Sequence, residues 1–341
     1  MDKELKIAFI EVGHYHAGMY LNFIKKTKHK IIAVSDKNKE IAQKIAKEFT
    51  CHFYSDYHKL LKKEDIDFVF SFGRHCEMPE IIDSILERGI PLCTEKPITN
   101  NAGIMKKLSE KANKKGLFTD VVLPLRFSPI ILAIKEFSEK NNIGEIVHCY
   151  FRNMAGPIQR YIDWRNKWLL DKKIALGGSF INEGPHYIDL FRYLTKEETK
   201  FVYASMNNCI YGKSIEDNSS VILETASGKR GVIEICYGYP TDRNWRDFAF
   251  VINTTNFLFT LIDIEKPRIF KLEIRCRKNN KVEITNLLKY NQDVYNVFLE
   301  EMLKRYLNNQ PCIIPFNYYY GIVKVLDAIY KSVMYKKVIQ I

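Results

Sequence analysis

No apolar stretch in this 341-residue sequence approaches the roughly 18 uninterrupted residues of a membrane-spanning helix. The start, Met1-Asp2-Lys3-Glu4, is charged and runs straight into a β-like segment, so no secretory leader is expected and the expected compartment is the cytoplasm. The eight cysteines (Cys51, Cys76, Cys93, Cys149, Cys209, Cys236, Cys276 and Cys312) include no Cys-x-x-Cys pair, and dispersed in this way they read as small buried hydrophobes. The eight histidines lack ligand spacing with acids or cysteines, so no metal site is expected. A long basic tract is also missing. The net charge is +12, yet the densest basic groups, at 25–30 and 275–281, are short and carry no aromatic-plus-basic recognition module. The charge therefore reads as lysine spread over helix surfaces, and neither nucleic acid nor a membrane is expected as a partner. Internal repeats and low-complexity linkers are absent too. What remains, 46% hydrophobic and 27% charged residues, is an ordinary globular composition, at a length that suits two domains.

Apolar runs at 5–10, 31–35, 67–72, 90–94 and 117–122 alternate with helical periodicity from the first turn through 24 and over 39–49, 79–88 and 104–115. Strands alternating with helices of this length predict a doubly wound parallel sheet, a Rossmann-like domain over 1–122. The pattern then changes. A helix at 129–140 and a strand at 145–153 precede mixed loop and helix over 163–194. Strand-like runs follow at 201–211, 219–225, 231–237, 248–252, 257–261, 269–275 and 282–284, and helices at 294–307 and 319–335 close the chain. Successive strands without intervening helices predict an α+β domain over 123–341 with a large, mostly antiparallel, open-faced sheet.

Three stretches could carry chemistry. The first turn follows a strand and opens a helix, where a dinucleotide fingerprint places Gly-x-Gly-x-x-Gly. Here those three positions hold Glu11, Gly13 and His16, so only the middle glycine is present. Gly13, His14, Tyr15 and His16 are the candidates to receive a pyrophosphate on helix N-terminal amides. Asp36, 23 residues beyond Gly13, ends the second strand where a carboxylate accepts ribose hydroxyls, favouring NAD over NADP. Second, Glu95-Lys96-Pro97 follows the run at 90–94; the proline biases Lys96 away from helix and holds it at the carboxyl edge of the sheet. Third, Asn182, His186 and Asp189 are spaced i, i+4, i+7, one face of a helix, although Gly184 and Pro185 predict an irregular first turn. A histidine titrating near neutrality is suited to moving a hydroxyl proton; the plain alternative is a hydrogen-bonded core histidine.

Together these stretches, with Gly177-Gly178, Arg126-Phe127-Ser128-Pro129, Asp163-Trp164-Arg165 and Glu216-Asp217, resemble the Gfo/Idh/MocA family of NAD(P)-dependent oxidoreductases over nearly the whole chain. The resemblance implies a Rossmann domain followed by a substrate domain. It also implies hydride transfer between nicotinamide (NAD, with NADP the alternative) and a secondary alcohol or ketone of a sugar, nucleotide sugar or cyclitol. Lys96 is then the lysine that contacts the substrate hydroxyl and nicotinamide ribose, and His186 the acid/base. Asn182 stands where the family's acidic partner usually sits; an amide can hydrogen-bond a hydroxyl but is no carboxylate base. Arg126, Trp164 and Arg165 join Lys96, Asn182 and His186 as expected substrate contacts, with Arg160 and Tyr161 close in sequence. Gly73, Arg74, Glu95 and Lys96 join the cofactor set.

The chain departs from the family at Glu11 and at Gly73-Arg74, where Thr-Pro is usual. A carboxylate at position 11 repels a pyrophosphate, and Arg74 is expected to approach Glu11 and offset it. These departures keep a non-catalytic nucleotide- or sugar-binding regulator of the same fold as the alternative, with a cofactor-recycling lyase or glycosidase as a third reading. The exposed sheet of the second domain is expected to bury itself in a homodimer or homotetramer.

Overall fold

The computed structural model describes residues 3–240, 247–264, 269–290 and 292–341; Met1 and Asp2 of the charged start lie outside them. The chain forms two compact units. One comprises Met1–Val122, Tyr161–Leu176 and Tyr295–Val323; the other comprises Leu123–Arg160, Gly177–Val294 and Lys324–Ile341.

In the first unit, β1 (Lys6–Ile10), α1 (Ala17–Lys25), β2 (Lys30–Ser35), α2 (Lys39–Phe49), β3 (His52–Tyr54) and α3 (Tyr57–Lys63) form one half of a sheet. The other half is β4 (Phe68–Ser71), α4 (Met78–Glu87), β5 (Leu92–Thr94), α5 (Ala102–Lys114) and β6 (Thr119–Val121). The strand order is β3-β2-β1-β4-β5-β6 and every pairing is parallel. Order reverses between β1 and β4, the switch point outside which such sheets bind ligands. The central strands are apolar because both faces are covered: Phe9 stacks on Phe70 at 5.1 Å and on Phe72 at 6.2 Å. Helix starts are fixed by side-chain caps, Asn38 accepting from the Glu40 and Ile41 amides and Asn101 from that of Ile104. At the sheet edge, buried Asp120 accepts the amides of Ile313 (2.9 Å) and Ile314 (2.6 Å).

The expected sheet had five strands; the sixth is β3. It has only three residues, none of them buried, and lies at the edge, so it carries no apolar run to betray it.

The second unit contains α6 (Pro129–Lys140) and β7 (Ile146–Met154). Beyond the short α7 (Gln159–Asp163) and α8 (Lys172–Ala175), the latter in a segment of the first unit, comes the long α9 (Ser179–Thr195). Then follow β8 (Thr199–Asn207), β9 (Asn218–Thr225), β10 (Arg230–Cys236), β11 (Asp247–Thr254), β12 (Phe257–Ile264), β13 (Ile269–Cys276) and β14 (Val282–Asn286). The chain ends with α10 (Val294–Leu307), which falls in the first unit from Tyr295 on, then α11 (Phe316–Tyr335) and β15 (Ile339–Gln340). Nine strands pair in the order β14-β13-β12-β11-β7-β10-β9-β8-β15, antiparallel except for β10 with β7. Strand alternation gives the sheet two unlike faces: α9 packs against β7, β9 and β10 on one, while Tyr203, Ile222 and Val147 are exposed.

Among the described residues, no helix is long and apolar enough to cross a membrane. All eight cysteines are unpaired; Cys93, Cys149 and Cys236 are buried as expected, but Cys76 and Cys209 are exposed.

Candidate functional site

The glycine turn of the first unit is built around one carboxylate. The Gly13 amide donates to Asp36 Oδ2 at 2.6 Å and the Asn38 amide to Oδ1 at 2.8 Å, while Val12 N–H donates to the Ser35 carbonyl. A Cβ at position 13 would stand 2.7 Å from Asp36 Oδ2, so this close approach requires glycine. Glu11, in the place of the first fingerprint glycine, has φ +60°, the left-handed conformation glycine adopts without cost.

Glu11, Gly13, Asp36, Gly73, Arg74 and Arg165 line one cleft. Burial pushes the Glu11 carboxyl up to about 7; the Asp36 charge adds to this, and the Lys37 charge and amide oppose it. Burial also raises Asp36, against the Asn38 and Gly13 amides and the Arg74 charge. Arg74, expected to approach Glu11, lines this same cleft. The Lys37 charge bears on Glu11, with the Lys37 ammonium itself 2.7 Å from Glu77, and the Arg74 charge bears on Asp36. Lys37 and Arg74 follow β2 and β4, the two strands that flank β1, a placement the linear sequence does not reveal.

At the ends of β4 and β5 lies a second polar cluster. Glu95, only 2% exposed, accepts from Tyr20 Oη (2.5 Å), His16 Nδ1 (2.8 Å) and the Lys96 amide (3.1 Å). Burial alone would raise this carboxyl, but the charge and hydrogen bond of His16, with the Lys96 charge, outweigh it and hold it well below the ordinary range. Glu95 thus faces inward as an ionised anchor for the turn that presents Lys96, which is 4% exposed and precedes a cis proline. His14 is buried against Tyr15, Phe72 and Trp168, and burial holds it neutral.

The segment 161–176 belongs to this same unit. Trp164 stacks on Tyr15 at 5.5 Å; Asn166 accepts from the Trp168 indole and donates to the Trp164 carbonyl. Arg165, at φ +59°, lines the Asp36 cleft. Trp164 and Arg165, expected at the substrate, therefore stand beside the glycine turn and Asp36. They lie far from that turn in sequence, and only the fold brings them there.

In the second unit, α9 runs unbroken through Pro185, contrary to the expected irregular turn. Its first turn is held instead by Glu216, which accepts the Ser179 amide on its carbonyl and the Phe180 amide and Tyr330 hydroxyl on its carboxylate. A Cβ on Gly178 would lie 2.0 Å from the Glu216 carbonyl oxygen, which explains a glycine at that position. Asn182 donates to Tyr237 Oη at 3.1 Å, and His186 is 5% exposed one turn on. Asp189 is fully buried and takes Arg126 in a bidentate clasp, Nη2 to Oδ1 at 2.6 Å and Nε to Oδ2 at 2.9 Å, with the guanidinium over the Tyr193 ring. Arg126, expected to meet substrate, makes this pair with a buried carboxylate.

Sequence reasoning passed over three residues of the first unit: Tyr20, Trp168 and His75. The last sits directly after the noted Gly73-Arg74, and the histidine itself was the available signal. The Asp36 cleft has elements that suit a dinucleotide: a glycine that permits close backbone approach, a fixed carboxylate able to accept ribose hydroxyls, and the cations Arg74 and Arg165 in its lining.

Comparison with known proteins agrees with this geometry. A family model described as "Oxidoreductase family, NAD-binding Rossmann fold" matches residues 5–122, and the "GFO/IDH/MocA C-terminal domain" matches residues 131–256. Trans-1,2-dihydrobenzene-1,2-diol dehydrogenase of Sus scrofa is 20% identical over 214 residues, 62% of this chain and 61% of that protein. Inositol 2-dehydrogenase of Rhizobium meliloti (strain 1021) is 26% identical over 220 residues, 62% of this chain and 63% of that one. The chain thus spans just over three-fifths of the length of these curated relatives. An oxidoreductase from Agrobacterium radiobacter, solved with NAD+, L-tartaric acid and magnesium, superposes with a TM-score of 0.86 at 16% identity, covering 99% of this chain and 98% of that chain. Nothing in these comparisons supports the regulatory alternative.

Proposed function

Because the chain belongs to the Gfo/Idh/MocA family of oxidoreductases, with an NAD-binding Rossmann domain, we propose that it is an NAD-dependent dehydrogenase or reductase. Its substrate would be a secondary alcohol, or the corresponding ketone, of a sugar, nucleotide sugar or cyclitol. The observation that carries this reading is Lys96, held at the carboxyl end of β5 by the ionised Glu95, on the sheet whose β1–β2 edge fixes Asp36. The relatives support the substrate class: one is named for a diol, another for inositol, and a structural neighbour was solved with tartaric acid.

In this reading the bound nicotinamide supplies the hydride acceptor or donor. Asp36 orients the adenosine ribose through its remaining acceptor sites, which favours NAD; a 2′-phosphate there would face a carboxylate. The Lys96 ammonium donates to the reacting oxygen and stabilises the negative charge that builds as its proton leaves. His186 takes or returns that proton, and Asn182, an amide on the same helix face, orients a hydroxyl without acting as a base. Exposed Tyr203 and Ile222 would be covered by a second copy in a homodimer or homotetramer. The test is direct: NAD supplied with a panel of polyols, including inositols and hexoses, should yield reduced nicotinamide with at least one of them.

A further inference from the structure

His75 carries a buried nitrogen that the fold leaves without a partner. Its side chain follows β4 and is 2% exposed. Nδ1 lies 2.7 Å from the Ala175 carbonyl oxygen. A carbonyl can only accept, so Nδ1 carries the proton and Nε2 presents its lone pair. That Nε2 is buried and has no hydrogen-bond partner among the described residues. Buried acceptors in native proteins are ordinarily paired, and one left open calls for a donor that comes from outside the chain. Neighbouring contacts hold the segment that carries the ring. The Cys76 amide donates to the Ile174 carbonyl at 3.0 Å, and Trp168 packs edge-on at 4.9 Å. Burial pushes this imidazole down to about 3, so it stays a neutral acceptor at any physiological pH, even with Glu95 and Lys96 close enough for their charges to bear on it.

The place of His75 in the sheet indicates the donor. A doubly wound sheet binds one nucleoside on each side of its switch point. Asp36 marks the side of β1 and β2 for adenosine, which leaves β4 and β5 for the nicotinamide nucleoside. His75 leaves β4 there, beside the Glu95-Lys96 turn. We propose that His75 is a cofactor-positioning residue whose Nε2 accepts a hydrogen bond from an N–H or O–H of the nicotinamide nucleoside. The donor is the carboxamide or a hydroxyl of its ribose, and the assignment rests on the dehydrogenase reading above.

The test is nitrogen NMR on the full-length protein labelled with ¹⁵N-histidine, with the His75 signal identified by its loss in His75→Asn. NAD should move Nε2 from the shift of an open lone pair toward that of a hydrogen-bonded one, and ADP should leave it in place. ADP-ribose separates the donors: a matching shift assigns the bond to a ribose hydroxyl, and no shift assigns it to the carboxamide. In parallel, His75→Phe should weaken NAD by about tenfold, the value of one hydrogen bond, and leave ADP within twofold. His75→Asn, which keeps an acceptor, should recover part of the loss. Equal effects on NAD and ADP, or no shift with NAD bound, would overturn the assignment while leaving the dehydrogenase reading intact. Failure of the wild-type protein to bind NAD would overturn both.

Discussion

The Gly13 amide and the Asp36 carboxylate meet at 2.6 Å, closer than any side chain at position 13 would allow. This contact joins the turn after β1 to the end of β2 and sets where a ribose can be held. Gly13→Ala should weaken NAD binding by tenfold or more and cost about 1–3 kcal/mol of stability through overpacking. Titration calorimetry and denaturant unfolding read the two effects. Unchanged NAD affinity would remove Asp36 from the cofactor site.

Glu11 gives the first unit a distinctive pH response. Its carboxyl titrates near 7 in the folded chain against an ordinary 4.5. The native state therefore binds more protons than the unfolded state between these values, so stability falls as pH rises from about 4.5 to 7 and levels off above. Glu11→Gln should flatten that slope and stabilise the protein at pH 8 by up to about 3 kcal/mol. It should also tighten NAD binding above pH 7, where the wild-type carboxylate repels the pyrophosphate. Urea unfolding at pH 5, 6, 7 and 8 tests the sign; a slope identical in the variant contradicts it.

Glu95 responds in the opposite direction. Its carboxyl is held down by His16 and Lys96, so its contribution is present above the unfolded value of 4.5 and is lost as pH falls below it. Glu95→Gln should destabilise at neutral pH by about 2–4 kcal/mol, as expected for breaking a buried charge pair. The difference from wild type should shrink toward pH 3.

Arg126 should behave as a structural residue. Arg126→Lys cannot reproduce the two-pronged contact with buried Asp189. A loss of about 2–4 kcal/mol in unfolding free energy is expected, with KM for the polyol substrate changed less than threefold. A large rise in KM with unaltered stability would return Arg126 to the substrate.

The alternation of strands and helices was legible because buried parallel strands must be apolar runs and their covering helices amphipathic. β3 was not, since an exposed three-residue edge strand has no pattern to read. Asp36 and Lys96 could be placed from their positions at strand ends. Arg165 and Trp164 could not, because a segment distant in sequence reaches the glycine turn only through tertiary folding. Asp189 illustrates a different limit. Its spacing on the face of His186 suggested chemistry, yet full burial against Arg126 makes it a clamp. His75 lay in plain view, but an unpaired nitrogen becomes evident only when its neighbours are known.

The most direct test of the account follows reduced-nicotinamide absorbance with NAD and a polyol panel, comparing wild type with Lys96→Ala at matched NAD occupancy. The wild type should reduce NAD with at least one cyclitol or sugar. Lys96→Ala should lose roughly 10²–10⁴ in kcat while keeping its fold and binding NAD within about fivefold of wild type. A Lys96→Ala protein that turns over at the wild-type rate, or a wild-type protein that binds NAD and oxidises nothing in the panel, would contradict it.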